Sequence, residues 1–137
     1  SEYKMDKYIL YYDPLSQPCR AVHIFLHLSS LPFELHSISV IKMEQYSAEF
    51  KKVNPNGKLP AMTDKDGHSL FESHSIMRYL HTARDLPDHW YPRDPRTRAK
   101  VNEYLDWHHN NIRLGAGGYF FRKYMTPLTG KPSPEVA

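Results

Sequence analysis

The hydrophobic pattern begins with a short apolar and aromatic run, Tyr8 to Tyr12, which Asp13-Pro14 closes. A run of this length bounded by turn residues predicts a buried β-strand. A helix is predicted from about Gln17-Pro18. Its apolar positions follow the i, i+3, i+4, i+7 spacing of one helix face: Ala21, Ile24, Phe25 and Leu28. We expect this face to pack on a sheet.

The next segment, Leu31 to Val40, alternates imperfectly and predicts a second strand, with Pro32 at an early position. A short helical turn over 44–51 leads into a loop around Gly57. Two antiparallel strands, 61–64 and 68–71, then flank Asp66-Gly67, because Asp-Gly supplies the positive φ of a hairpin turn. Another helix follows, with Ser73 as N-cap and an apolar face that comprises Ile76, Leu80 and Ala83.

The segment from Asp85 to Pro95 contains three prolines and predicts a linker. A new helix is expected to start with Asp94 as N-cap and Pro95 at the first helical position. Its apolar stripe cannot be buried by this helix alone, and later glycines should stop or loosen it. The stripe comprises Val101, Tyr104, Leu105, His108 and Ile112, and the glycines are Gly115, Gly117 and Gly118.

Four regions follow from these patterns. They are a polar N-terminal tail (1–7), a mixed α/β domain (8–84), a linker (85–94) and the start of a helical domain (95–137). With 137 residues, the chain has room for one compact domain and the beginning of another.

The amino-acid composition argues against several classes of function. The formal net charge is only +3, with 15 acidic residues among 18 basic ones, which does not favour a nucleic-acid-binding protein. A single cysteine cannot form an internal disulfide, so a reduced cytoplasmic setting is expected. The polar start and the lack of a long apolar run predict a soluble protein with no membrane partner.

The predicted turn between the first strand and helix carries two candidate nucleophiles, Ser16 and Cys19. A helix N-terminus favours an anion, and a serine hydroxyl there can donate a hydrogen bond to a thiolate without attacking anything itself. A simple helix cap is the ordinary alternative for Ser16. Cys19 is predicted to be a small buried side chain and has no second cysteine to resolve it.

Two further motifs suggest ligand contacts. Before the third strand, Lys58-Leu59-Pro60 would expose the Leu59 backbone to a peptide-like ligand if the Leu59-Pro60 bond were cis, although a trans proline is the commoner case. Glu72-Ser73 could hold the ammonium and carboxylate of an α-amino-acid head, or could simply cap the following helix.

Other charged clusters are weaker candidates. His23 and His27 have the i, i+4 spacing of a metal pair but no third ligand, so no metal is expected. Basic residues near the linker alternate with acidic ones, which indicates a solvated helix surface more than a nucleic-acid footprint. The basic residues are Arg93, Arg96, Arg98 and Lys100.

Together, four motifs resemble the theta class of glutathione transferases, and the last two look most like plant-type members. They are "LSQPCRAV", "VNPNGKLPAM", "LFESHSIMRYL" and "DHWYPRDPRTRAKVNEYLDWHHNNIR". The match covers nearly all of residues 8–134, and the motifs occur in the family's order. The resemblance implies a thioredoxin-like α/β domain (βαβ–ββα) over residues 8 to about 84, then the start of an all-α domain.

The resemblance also implies roles for residues. Ser16 would stabilise the glutathione thiolate, and Gln17 would lie near the co-substrate. Lys58 would meet the glycyl end, with Gln45 where some theta enzymes carry a histidine. Leu59 and Pro60 would pair with the cysteinyl part, and Glu72 and Ser73 would hold the γ-glutamyl head. Arg113 corresponds to an arginine that some members place in the electrophile pocket.

The resulting hypothesis is a cytoplasmic, detoxifying glutathione transferase that conjugates glutathione to small electrophiles such as alkyl halides or epoxides. The family's helical domain continues well beyond Ala137, and a homodimer is expected if that domain were complete. Two alternatives stay open. One is a catalytically silent module of the same fold that binds glutathione or a protein partner; the other is a monothiol redox protein that uses Cys19.

Overall fold

A four-stranded mixed sheet forms the first part of this computed structural model, which describes residues 7–130. The strands are β1 (Tyr8–Tyr12), β2 (Phe33–Ser37), β3 (Ala61–Thr63) and β4 (Ser69–Phe71). The helices are α1 (Gln17–Leu28), α2 (Phe50–Val53) and α3 (Ser73–Ala83), with a 3-10 turn at Glu44–Tyr46. The sheet order is β2-β1-β3-β4, with only β1 and β2 parallel. This is the predicted thioredoxin-like βαβ–ββα arrangement.

The sheet separates two groups of buried side chains, because successive residues of a strand point to opposite faces. The largest fully buried apolar side chains come from β1, β3, α1 and α3: Leu10, Met62, Cys19, Val22, Leu26, Ile76 and Leu80. A second cluster forms where Phe50 of α2 packs with Ile38 and Ala61. Tyr11, which follows Leu10 in β1, packs against this second cluster. Both faces of the sheet are therefore covered by helical side chains.

The predicted contact face of α1 is wrong. Ile24 and Leu28 are 57% and 60% exposed, whereas Phe25 is buried as expected. The buried residues of α1 are Cys19, Val22, Phe25 and Leu26. The apolar residues of α1 are spread around more than one side of the helix, so two overlapping faces fit the helical spacing. Which face is buried depends on what the helix packs against.

The start of α3 also differs from the prediction by one residue. Glu72, with φ 72° and ψ 111°, occupies the N-cap, and Ser73 is the first helical residue. Ile76 and Leu80 are buried as predicted, whereas Ala83 is exposed. The helix thus begins directly after β4, which ends at Phe71.

Residues 87–130 belong to a second compact unit, and the division between the units falls between Leu86 and Pro87. Its main helix, α4 (Pro95–Asn110), begins as predicted: the Asp94 carboxylate accepts the Thr97 N–H at 2.8 Å. The chain then stays helical in short segments, so the glycines loosen the helix but do not stop it. These segments are Arg113–Gly117 and Phe121–Met125, both π-helical, and α5 (Gly118–Phe120) and α6 (Thr126–Leu128).

No residue of α4 is buried, which agrees with the prediction that this helix cannot bury its own stripe. Its start is fastened by Arg98, whose Nε donates to the Pro92 carbonyl at 2.6 Å and whose guanidinium lies over the Tyr91 ring. Lys100 pairs with Glu103 at 3.0 Å. These basic residues are therefore engaged locally.

Within residues 7–130, no helix combines the length and the apolar character that a membrane span requires. The predicted N-terminal tail lies outside the described residues except for Lys7, as do residues 131–137 of the predicted helical domain.

Candidate functional site

The sheet register brings the predicted site segments to one end of the sheet. Ala61, the first residue of β3, pairs with Tyr11 near the end of β1 and with Phe71 at the end of β4. The last residue of β2, Ser37, pairs with Tyr12. The segments that follow β1, β2 and β4 and the segment that precedes β3 therefore all leave the sheet at this end. They carry Ser16, Gln45, Glu72-Ser73 and Lys58-Leu59, respectively.

Asp13 shapes the turn that carries Ser16. Its carboxylate accepts the Leu15 N–H at 2.9 Å and, across the sheet end, the Val40 N–H at 2.7 Å. Its carbonyl accepts the Ser16 N–H at 3.0 Å. Asp13 is 6% exposed, so these bonds satisfy a buried anion. The sequence reasoning missed this role, although an aspartate directly after a buried strand was a signal for it.

Ser16 occupies the N-cap of α1, with extended φ and ψ of −83° and 117°. Its side chain makes no capping hydrogen bond, so the ordinary cap explanation does not account for the hydroxyl. Ser16 is half-buried at the positive end of a twelve-residue helix. This position can stabilise an anion held in front of α1.

Cys19 is completely buried, as predicted. Burial raises the pKa of its thiol, and a hydrogen bond from Ser16 offsets this rise in part. A buried thiol with a raised pKa is a poor nucleophile. This argues against a monothiol redox role.

Lys58 is exposed, while the Leu59 side chain packs against the cluster of Ile38, Phe50 and Ala61. The Leu59-Pro60 peptide bond is cis, and Pro60 is buried. Among residues 7–130, no hydrogen bond uses the backbone N–H or C=O of Leu59. These two groups are available to an extended ligand.

Glu72 and Ser73 place different groups at the start of α3. Glu72 is exposed and has a positive φ, a backbone conformation that L-residues adopt rarely. Its carbonyl still accepts the first helical bond, from the Ile76 N–H at 2.9 Å. Ser73 is 1% exposed. A solvent-facing carboxylate thus lies beside a helix N-terminus, which suits a ligand group with both charges.

The two glutamines differ in environment. Gln17 is exposed at the first position of α1. Gln45 is half-buried, and its Oε1 has no hydrogen-bond partner within residues 7–130. Its turn packs against Gly57, where an added Cβ would lie 3.0 Å from the Gln45 carbonyl oxygen and 2.9 Å from the Tyr46 ring. The turn of Gln45 and the loop of Lys58 are therefore in direct contact.

Arg113 belongs to the second unit, in the segment Arg113–Gly117. Its guanidinium lies 3.0 Å from Nδ1 of His109. Burial lowers the pKa of neighbouring His108, and the charges of Arg113 and His109 lower it further. Arg113 thus lies beside His108 and His109, which belong to the last turn of α4.

Of the two histidines of α1, His23 packs against aromatic rings and His27 is exposed. The His23 ring lies edge-on to the rings of Tyr12 and Phe33, at centroid distances of 5.1 and 5.4 Å. Over residues 7–130, no three His, Cys, Asp or Glu side chains are grouped so that they could hold a metal ion.

Residues 16–83 match the family model described as the N-terminal domain of glutathione S-transferase. Glutathione S-transferase T1 of Arabidopsis thaliana is 46% identical over 135 residues, which cover 97% of this chain and 55% of that relative. Glutathione S-transferase theta-1 of Homo sapiens is 44% identical over 129 residues, which cover 93% and 53%. Plant and mammalian relatives are thus about equally similar.

Solved structures agree with these relatives. The structure of human glutathione transferase theta-2 in complex with glutathione and an unknown ligand matches with a TM-score of 0.86 at 41% identity, over 93% of this chain and 52% of that one. The chain spans about half the length of the relatives that it matches. Sequence identity, family model and fold agree on one assignment, and the chain belongs to the theta class of the glutathione S-transferase family.

Proposed function

We propose that this chain binds glutathione at the end of its sheet and presents the glutathione sulfur to Ser16. The observation that carries this proposal is the register, which brings Ser16, Leu59 and Glu72-Ser73 to the same sheet end from three separate segments. The theta-2 structure, which holds glutathione and has the same fold, supports it.

Each part of glutathione has a complementary group. The exposed Lys58 ammonium can pair with the glycyl carboxylate, with Gln45 beside it as a neutral contact and Gln17 near the co-substrate. The open backbone groups of Leu59, before Pro60, can pair with the cysteinyl part as an added strand would. The Glu72 carboxylate can hold the γ-glutamyl ammonium, while Ser73 and the N-terminus of α3 hold its carboxylate.

Ser16 then acts by electrostatic stabilisation. Its hydroxyl donates to the glutathione sulfur, which favours the thiolate, and the α1 N-terminus adds its partial positive charge. The thiolate attacks an electrophilic carbon, such as that of an alkyl halide or an epoxide. A C–S bond forms, and either a halide ion leaves or the epoxide C–O bond opens.

Calorimetric titration of the chain with glutathione tests the binding proposal. We expect saturable binding that weakens roughly ten-fold in Lys58→Ala and in Glu72→Gln, since each loses one charge-assisted contact. Lys51→Ala, an exposed lysine of the nearby α2, is the matched control and should bind like the parent chain. Absence of binding to the parent chain, or equal loss in all three variants, would refute the proposal.

A catalytically silent glutathione-binding or protein-interaction module of the same fold is the second candidate, and the chain spans about half the length of the relatives that it matches. A measurement of conjugation distinguishes the silent module from the enzyme. Conjugation of a small alkyl halide or epoxide that slows markedly in Ser16→Ala supports the enzyme. Glutathione binding without conjugation of any such electrophile supports the silent module.

A further inference from the structure

Asn54 is a completely buried polar residue at the start of the loop that carries Lys58. All four of its polar groups bond within this part of the chain. Its N–H donates to the Phe50 carbonyl and its carbonyl accepts the Gly57 N–H, both at 3.0 Å. Its side-chain Nδ2 donates to the Lys58 carbonyl at 2.8 Å, and Oδ1 accepts the Asn56 N–H at 3.0 Å. The side-chain amide supplies this donor and this acceptor from two separate atoms.

These hydrogen bonds connect the buried residue Phe50 to the loop that carries the predicted ligand contacts. On one side, Phe50 is 2% exposed within the cluster that also includes Ile38 and Ala61. On the other side, the bond to the Lys58 carbonyl holds the residue that precedes Leu59. Gly57, in between, lies directly against Gln45 and Tyr46. Asn54 therefore controls where the loop from 54 to 58 lies.

We propose that Asn54 is a positioning residue for glutathione binding, a role that rests on the proposed function. It holds the loop from 54 to 58 in its bound arrangement before the ligand arrives. A loop that is already ordered loses little conformational entropy when the ligand binds, so the ligand binds more tightly. Since Ser16 lies on a different segment, the loss of Asn54 weakens glutathione binding but leaves the pKa of the bound thiol unchanged.

Asn54→Asp tests this role with the least change in shape. It removes the donor to the Lys58 carbonyl, and Asn56→Asp, an exposed asparagine in the same loop, controls for the added charge. We expect the dissociation constant of glutathione to rise roughly ten-fold in Asn54→Asp and to stay within about two-fold in Asn56→Asp. The thiol pKa of bound glutathione, followed by thiolate absorbance, should be the same in both.

A second ligand distinguishes positioning from a general loss of structure. The dipeptide γ-glutamylcysteine lacks the glycyl residue that Lys58 would meet. Asn54→Asp should therefore weaken glutathione more than γ-glutamylcysteine. Equal losses for the two ligands would overturn the role of Asn54 at Lys58.

Trypsin provides a readout that needs no ligand, because it can cut after Lys58 and after Lys65 in the β3–β4 turn. We expect Asn54→Asp, and the uncharged Asn54→Ser, to speed cleavage after Lys58 selectively. Equal acceleration at both lysines would mean that the variant only destabilises the whole fold, and would overturn the proposal, as would unchanged cleavage after Lys58. If the parent chain binds no glutathione, the proposed function fails; if it binds and Asn54→Asp binds equally well, only the present inference fails.

Discussion

The Ser16 hydroxyl does not cap the backbone of its own helix. In most helices a serine at the N-cap accepts a backbone N–H, but here the side chain makes no such bond. Its backbone is instead held by Asp13, which accepts the Ser16 N–H. The side chain can therefore be assigned to a ligand without a loss of helix capping.

Ser16→Ala should change the affinity for glutathione by no more than a few-fold and should raise the pKa of the bound thiol. Conjugation should slow by about 10–100-fold, because this factor corresponds to the loss of one hydrogen bond to a charged group. Thiolate absorbance against pH measures the pKa. Ser29→Ala, at the other end of α1, removes a hydroxyl that donates to the Phe25 carbonyl and is the control. An unchanged thiol pKa in Ser16→Ala would exclude the assigned role.

Gly57 shows how one residue decides whether two segments can approach each other. Its φ is +61°, and an added Cβ would contact both Tyr46 and the Gln45 carbonyl. Gly67 in the β3–β4 turn also has a positive φ, +81°, but nothing lies within 4 Å of an added Cβ. A substitution at Gly67 would therefore cause backbone strain alone, whereas a substitution at Gly57 would cause both backbone strain and steric overlap.

Gly67→Ala should lower the free energy of unfolding by about 1 kcal/mol, whereas Gly57→Ala should lower it by about 2–4 kcal/mol because overlap adds to the φ penalty. Urea denaturation of each variant measures the difference. Equal losses would show that the contact between the loop and the turn of Gln45 is not tight.

At the scale of elements, the stability that the Asp94 cap gives to α4 depends on pH. The Asp94 carboxylate at the start of α4 accepts the backbone N–H of Thr97 and its hydroxyl, which lowers the pKa of Asp94. A lowered folded-state pKa means that the stabilisation is present above the unfolded value, near pH 4, and is lost as the pH falls through the folded value.

The helicity of α4 should therefore decrease below about pH 4 in the parent chain. Asp94→Ala should already have the lower helicity at neutral pH and should respond less to acid. Circular dichroism against pH measures both, and Asp106→Ala, an exposed aspartate later in α4, is the control. An acid response that is identical in Asp94→Ala and in the parent would contradict the cap.

At the scale of the whole molecule, the second unit exposes many large apolar side chains, each 41–68% exposed. They are Tyr104, Trp107, Ile112, Leu114, Tyr119, Phe120, Phe121, Tyr124 and Leu128. So many exposed apolar residues are unusual for a monomeric protein. The chain also spans about half the length of its relatives. We propose that a homodimer covers part of this apolar surface.

The 137-residue chain should self-associate in a concentration-dependent manner. Size-exclusion chromatography with light scattering measures this. Trp107→Lys with Phe120→Lys should reduce association, whereas Ile24→Lys, exposed on α1 of the first unit, should not. A strictly monomeric parent chain at every concentration would contradict the prediction.

Much of the fold follows from local patterns. Tyr8–Tyr12, the Asp-Gly hairpin and the Asp94-Pro95 start of α4 each depend on a few neighbouring residues, so spacing and turn chemistry sufficed to predict them. The segments that meet at one end of the sheet also carry motifs that resemble the theta class, and these motifs can be recognised from the sequence.

Other features depend on what lies opposite in space. The face of α1 that packs, the positive φ of Glu72, the two-sided bonding of Asp13 and the burial of Asn54 all involve partners from another segment or packing around it. The sequence by itself determined the elements, their order and the residue types at their ends. Only the tertiary structure decided which apolar face is buried and which buried polar groups hold the site loops, because both depend on contacts between segments.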